Sequence, residues 1–110
     1  MSKSLVVHPT GSVEEVTLVQ GMELELMYAW LGCGTVDVVT LTDQLDMWLD
    51  DEGMFRQPVN PLATQLAKQY GYGFQDYYGS ALLCTHNADG ESRDLTDDQL
   101  TAVRSQLVFG

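Results

Sequence analysis

Residues 34–63, GTVDVVTLTDQLDMWLDDEGMFRQPVNPLA, set the terms on which the remainder of the chain can fold. Val36, Val38, Val39 and Leu41 form a run rich in β-branched residues, and Leu45, Met47 and Leu49 then alternate with Asp46 and Trp48. Both are strand patterns, and Thr42-Asp43-Gln44 joins them tightly. Asp50-Asp51-Glu52-Gly53 reverses the chain, with Gly53 expected at positive φ. After Met54 to Val59, Asn60-Pro61 supplies an N-cap and a first-turn proline. Leu62, Leu66 and Tyr70 fall on one helical stripe beside Ala63 and Ala67, and Gly71 ends the helix. If Leu45, Met47 and Leu49 face the core, Trp48 lies on the other face with Asp46 and Asp50. It is then either covered by a helix or presented as a contact surface.

The flanks supply the remaining elements. Ser4 to His8 is an apolar run closed by the turn Pro9-Thr10-Gly11, and Val13 to Val19 alternates imperfectly, so the two form a hairpin. Met22, Leu26 and Trp30, with Met27 and Leu31, recur at helical spacing and predict a short helix with a wide buried face. Glu23 and Glu25 suit its first turn, and Gly32 suits its end. Residues 71–79, GYGFQDYYG, carry four aromatics and three glycines. Such a loop either anchors a partner through its rings or folds them back onto the sheet. Ser80 to His86 is a continuous apolar strand suited to a central position, and Asn87 to Asp94 is a polar loop. Thr96-Asp97-Asp98-Gln99 is a capping box that opens a last helix on Leu100, Val103 and Leu107, with Leu95 placed to staple onto Leu100. The order is ββαββαβα: one α+β domain over residues 1–110, with a mostly antiparallel sheet of about five strands and three helices.

Charge narrows the partners. Sixteen acids against five bases give −11, so a free nucleic acid should be repelled. The acids are scattered in small groups rather than gathered in a tail. Solubility or a saline host explains them plainly; imitation of DNA is the sharper explanation. A domain of this length is roughly 34 Å across, and duplex DNA of that length presents about 20 phosphates. Sixteen acids spread over a globule put about half that density on one face. No stretch approaches the roughly 20 apolar residues of a membrane span, and the opening MSKSLVVHPTG turns too soon for a signal peptide. A cytoplasmic protein without membrane contact is expected. Cys33 and Cys84 belong to no metal spacing and read as free thiols, with a disulfide as the alternative.

TVDVV, LDDEG, Asn60 to Ala63, YYGSALLC and LTDDQL occur in an order that resembles a small uncharacterised family, domain-of-unknown-function family thirty-eight forty-six, found in phages, plasmids and actinobacteria. The matching positions are Val6 to Pro9, Gly32 and Gly34, Val36-Asp37, Asp50 to Gly53, Pro58-Val59-Asn60, Gly79 to Cys84, and Leu95-Thr96. Cys33 splits the family's glycine pair, Asp50 replaces the amide of its turn, and Thr64 to Tyr78 departs from it. The family carries no assigned chemistry, so the resemblance implies context alone: an accessory protein of a mobile element in a bacterial cytoplasm.

No nucleophile elbow, phosphate-cradling glycine loop or zinc spacing is present, so no catalytic residue, metal or cofactor is assigned. The expected function is an acidic module that binds a basic surface of a host protein, with inhibition of a nucleic-acid-binding or defence factor as its boldest form. The contact residues expected are Asp43, Asp46, Trp48, Asp50, Asp51, Glu52, Tyr72, Phe74, Tyr77 and Tyr78. Two alternatives stand beside it. One is a small metal- or ligand-dependent enzyme using His8, His86 and Asp50 to Glu52. The other is a structural protein that self-associates as a homodimer through open sheet edges.

Overall fold

The computed structural model describes residues 2–107. Two hairpins are joined through a late strand. The first is β1 (Ser4–Val7) with β2 (Val13–Val16), and the second is β3 (Val36–Thr42) with β4 (Leu45–Asp50). Between them in space runs β5 (Ala81–His86), antiparallel to both β1 and β4, giving the order β2-β1-β5-β4-β3. A two-residue strand, β6 (Ser92–Arg93), extends the pairing of β5. β5 is central because its first five residues are buried and apolar or compact on both faces, as the unbroken run Ala81-Leu82-Leu83-Cys84 requires.

Helices cover both faces, so the domain has three layers. α1 (Glu23–Leu31) lays Met27 and Leu31 against Val6, Val16, Leu82 and Cys84. The opposite face carries Leu5, Val7, Met47, Leu49 and Leu83 under α3 (Pro61–Gln69) and α4 (Asp97–Gln106). The radius of gyration is 12.7 Å, with extents of 32 × 30 × 22 Å. The fold is the expected antiparallel α+β domain with two small additions: β6 and a one-turn helix, α2 (Gly53–Arg56).

α2 corrects the reading of the acidic turn. Gly53 does not take positive φ; it opens α2 instead. Space favours glycine there, since a Cβ would sit 3.0 Å from the Tyr78 carbonyl oxygen and that backbone would have to give by a few tenths of an ångström. Met22 is also displaced from its expected role: it precedes α1 and is 49% exposed, and Met27 and Leu31 carry the burial. Gly32 ends α1 in the left-handed region, as its position implied.

The capping box forms as written. Thr96 Oγ1 accepts from the Gln99 amide at 3.2 Å, and Gln99 Oε1 accepts from the Thr96 amide at 2.9 Å. Thr96→Ala is therefore expected to lower stability by about 1 kcal/mol. A melting midpoint equal to the parent's would show that the box contributes nothing.

β3 is an edge strand, and its free side is partly closed by its own surroundings. The Asp51 amide donates to the Thr35 carbonyl, so Asp37 and Val39 turn their main-chain groups to β4, and Val36, Val38 and Thr40 turn theirs outward. Asp37 Oδ1 accepts from the outward Val38 amide at 2.9 Å. The Tyr72 hydroxyl donates to the outward Thr40 carbonyl at 2.9 Å. These contacts blunt an edge that would otherwise template pairing with another chain.

Candidate functional site

The acidic turn and the aromatic loop meet. Asp37, Val39 and Leu49 from the β3–β4 hairpin, Asp50, Asp51, Gly53 and Met54 from the turn and α2, and Gln75 to Tyr78 from the loop line one cleft of about 210 Å³. The loop is brought there by its anchors. The Tyr77 amide donates to Thr64 Oγ1, the Tyr77 carbonyl accepts from the Asn60 amide at 2.7 Å, and Val59 bridges to Tyr78. Asn60 is the pin: fully buried, it caps α3 through Ala63 and donates its side-chain amide to the carbonyls of Val7 and Gly79.

Of the residues expected to meet a partner, Asp50, Asp51, Tyr77 and Tyr78 line this cleft, and Glu52 stands exposed beside it. Tyr72 is half-buried against β3. Phe74 is 76% exposed, its ring tilted at 6.3 Å from that of Tyr72. Asp43 is exposed but lies in the turn at the far end of the hairpin, about 20 Å away at the rise of a strand. Asp46 and Trp48 point to the α1 face, where Asp46 is buried and Trp48 packs beneath the helix layer. That corrects the expectation that these two are presented as a contact surface. Tyr77 is corrected in the same way: it lines the cleft but is 5% exposed and belongs to the core. Other contributors were not expected: Asp37 and Asp76 add acids to the cleft, and Met54, 63% exposed, adds an apolar side chain from α2, with Phe55, 79% exposed, next to it in sequence. The sequence signal for Met54 and Phe55 was two large apolar residues one glycine after three acids.

Asp50 is a structural acid. Burial pushes its carboxyl up, and the Glu52 amide and the Arg56 guanidinium outweigh that and hold it below the usual carboxylate range. Its folded value is lower than its unfolded value, so its contribution is present above about pH 4 and is lost as pH falls through the folded value. Thermal midpoints from pH 7 to pH 2 should therefore show a shallower acid decline in Asp50→Asn than in the parent. Superimposable declines would remove Asp50 from that account.

Two other clusters have catalytic residue types. Asp46 lies opposite Cys84 in the β4–β5 ladder, and His86 Nδ1 pairs with Asp46 Oδ2 at 2.8 Å, so a thiol, an imidazole and a carboxylate do converge. Cys84 is wholly buried, and burial, with the Asp46 charge next, pushes its thiol up to about 12. A thiol so placed is not a nucleophile. Cys33 is raised too, first by burial and then by Asp50, and both cysteines are free. At the end of β1, Glu14 Oε1 accepts from His8 Nε2 at 3.1 Å, and His8 Nδ1 pairs with Ser80 Oγ at 2.8 Å. That carboxylate–imidazole–hydroxyl order ties β1, β2 and the start of β5 together. Neither His8 nor Ser80 lines the acidic cleft. Among the described residues no group of three or more His, Cys, Asp or Glu is arranged to hold a metal ion, and His8, His86 and Asp50 to Glu52 do not converge on one. No described helix is long and apolar enough to cross a membrane.

The model of a family described as a domain of unknown function, DUF3846, matches residues 1–108, and the chain belongs to that family. No curated protein and no solved structure matches the chain.

Proposed function

We propose that this member of the DUF3846 family is a binding module that grips a basic surface of another protein. The observation that carries the reading is an acid-lined cleft with the exposed Met54 in its wall, and two more strongly exposed large apolar side chains, Phe55 and Phe74, each next in sequence to a lining residue. Isolated exposed apolar residues are ordinary, but large ones beside a cleft are the composition of a contact surface. Phe55 and Phe74 serve as anchors, and the acids beside them choose a cationic partner and speed its approach. The net charge of −11 turns nucleic acid away and favours proteins that bind it. A host nucleic-acid-binding or defence factor, held by an accessory protein of a phage or other mobile element in the host cytoplasm, is the partner class with that chemistry.

The test is capture from host lysate by the full chain and by a Phe55→Ala, Phe74→Ala double variant. A partner retained by the parent, lost by the double variant and released as salt rises supports the reading. Capture indifferent to both changes overturns it.

A further inference from the structure

We infer that Ser80 is a nucleophilic serine, with His8 as its general base and Glu14 as the residue that positions that base. The substrate class is a small, activated acyl donor. The inference is independent of the binding reading, because none of the three residues lines the acidic cleft.

The strand frame brings them together. Val7 pairs with Val13 on one side and with Ala81 on the other, so His8, one residue on, stands between the start of β2 and the start of β5. Its backbone is fixed there: the His8 amide donates to the Ser12 carbonyl at 2.9 Å, and the His8 carbonyl accepts from the Gly11 amide at 2.9 Å. Glu14 lies opposite Val6 in the same ladder. Ser80 follows Gly79, which takes a φ of 80° and is held on both sides. The Gly79 amide donates to the Pro58 carbonyl at 2.8 Å, and its carbonyl accepts from the Asn60 side chain at 2.8 Å. The hydroxyl is thus carried on a rigid mount, which is what a reacting group needs.

The proton positions follow from the donors and acceptors. An ionised carboxylate only accepts, so with Glu14 Oε1 at 3.1 Å from His8 Nε2, that nitrogen carries the hydrogen. In the neutral imidazole Nδ1 then holds the lone pair, and at 2.8 Å it accepts from Ser80 Oγ. The hydroxyl proton is aimed at a base whose other nitrogen is oriented by a third group, the arrangement that activates a serine. Serine proteases turn Nε2 to the serine and Nδ1 to the acid; here the two nitrogens are exchanged and the roles are kept.

The imidazole is partly exposed, the carboxylate is exposed and Ser80 is half-buried, so the site is open to a small molecule. Glu14 and the net charge of −11 turn anionic esters away and leave neutral ones. Ser80 Oγ attacks the carbonyl carbon of the ester while its proton passes to His8 Nδ1. The bond from that carbon to the leaving oxygen breaks, and the leaving group takes the proton and departs as the alcohol. The acyl group is now an ester of Ser80. Water, deprotonated by the same nitrogen, releases it as the acid and restores the hydroxyl.

The probes are a fluorophosphonate, whose fluoride leaves as the Ser80 Oγ–P bond forms, and p-nitrophenyl acetate, each added to the full chain. Peptide mass mapping should place the phosphonyl and acetyl groups on Ser80, at least about a hundredfold faster than in the urea-unfolded chain. Ser80→Ala should remove the adduct. His8→Ala should slow labelling at least about a hundredfold, and added imidazole should restore part of it, which loss of the fold would not allow. The ring nitrogen shifts of His8 in the isotope-labelled chain should show the hydrogen on Nε2, and Glu14→Gln should leave the two tautomers mixed. A hydrogen on Nδ1, an adduct spread over other serines, tyrosines or lysines, or labelling no faster than in the unfolded chain would overturn the inference.

Discussion

Asn60→Ala is expected to lower stability by about 3–5 kcal/mol, the largest loss from any single polar side chain in the domain. Its Nδ2 donates to Val7 at 2.9 Å and to Gly79 at 2.8 Å, and its Oδ1 accepts from the Ala63 amide at 3.1 Å. Asn60 itself is 0% exposed and Ala63 is 1% exposed, so water is poorly placed to replace it. Each buried group left without a partner costs about 1–3 kcal/mol; the Ala63 amide and the Gly79 carbonyl lose the Asn60 side chain, and the Val7 carbonyl is left with its place in the β1–β5 ladder opposite Ala81. Against a total stability of about 5–15 kcal/mol this is severe, and the midpoint should fall by more than about 12 °C. Asn60→Asp separates the roles: the acceptor for Ala63 remains and both donors are lost. The new carboxylate would face two carbonyls, raising its folded pKa, so its stability deficit should grow as pH rises through that value. A loss below about 1 kcal/mol in Asn60→Ala would show that the amide is not the pin. Because the same residue holds Gly79 and Tyr77, its loss should also loosen the cleft wall.

Phe55→Ala and Phe74→Ala should have the reverse profile: little change in stability and a large change in affinity. Both rings are more than three-quarters exposed, at 79% and 76%, so melting should shift within about 0.5 kcal/mol. Aromatic anchors in an interface contribute about 2 kcal/mol or more each, roughly thirtyfold in Kd. Together the two substitutions should weaken partner binding by several hundredfold, seen mainly as faster dissociation. Titration calorimetry with the captured partner reads this directly. Affinity within threefold of the parent would place the interface elsewhere.

What the residues announced in advance was what depends on local chemistry. Asn60-Pro61 and Thr96 to Gln99 start helices where they stand because capping is decided within four residues. The strand at Ala81 to His86 was legible as central because nothing along it is fit for water. Exposure at the site was not legible, because it depends on which element covers which face. Trp48 and Asp46 read as outward from alternation alone, and only the packing of α1 over that face removes them from contact. Tyr77 and Phe74 share one short loop, yet Thr64 and Asn60 draw the first inward and leave the second out. Asp37 and Asp76 lie 39 positions apart, and no local pattern relates them until the loop folds against the hairpin.

The placement of β5 between the two hairpins governs how the chain is born. As it leaves the ribosome, Ser4 to Val7 has only β2 beside it, and Met47 has only β3, until residues 81–86 emerge and knit them. Isolated two-stranded ribbons are marginal in water, so the nascent protein should stay loosely formed through most of synthesis and then close late and cooperatively. A stalled or truncated product ending before Ala81 would leave Leu5, Val6, Val7 and Met47 uncovered. Such fragments should be the species that chaperones and proteases meet.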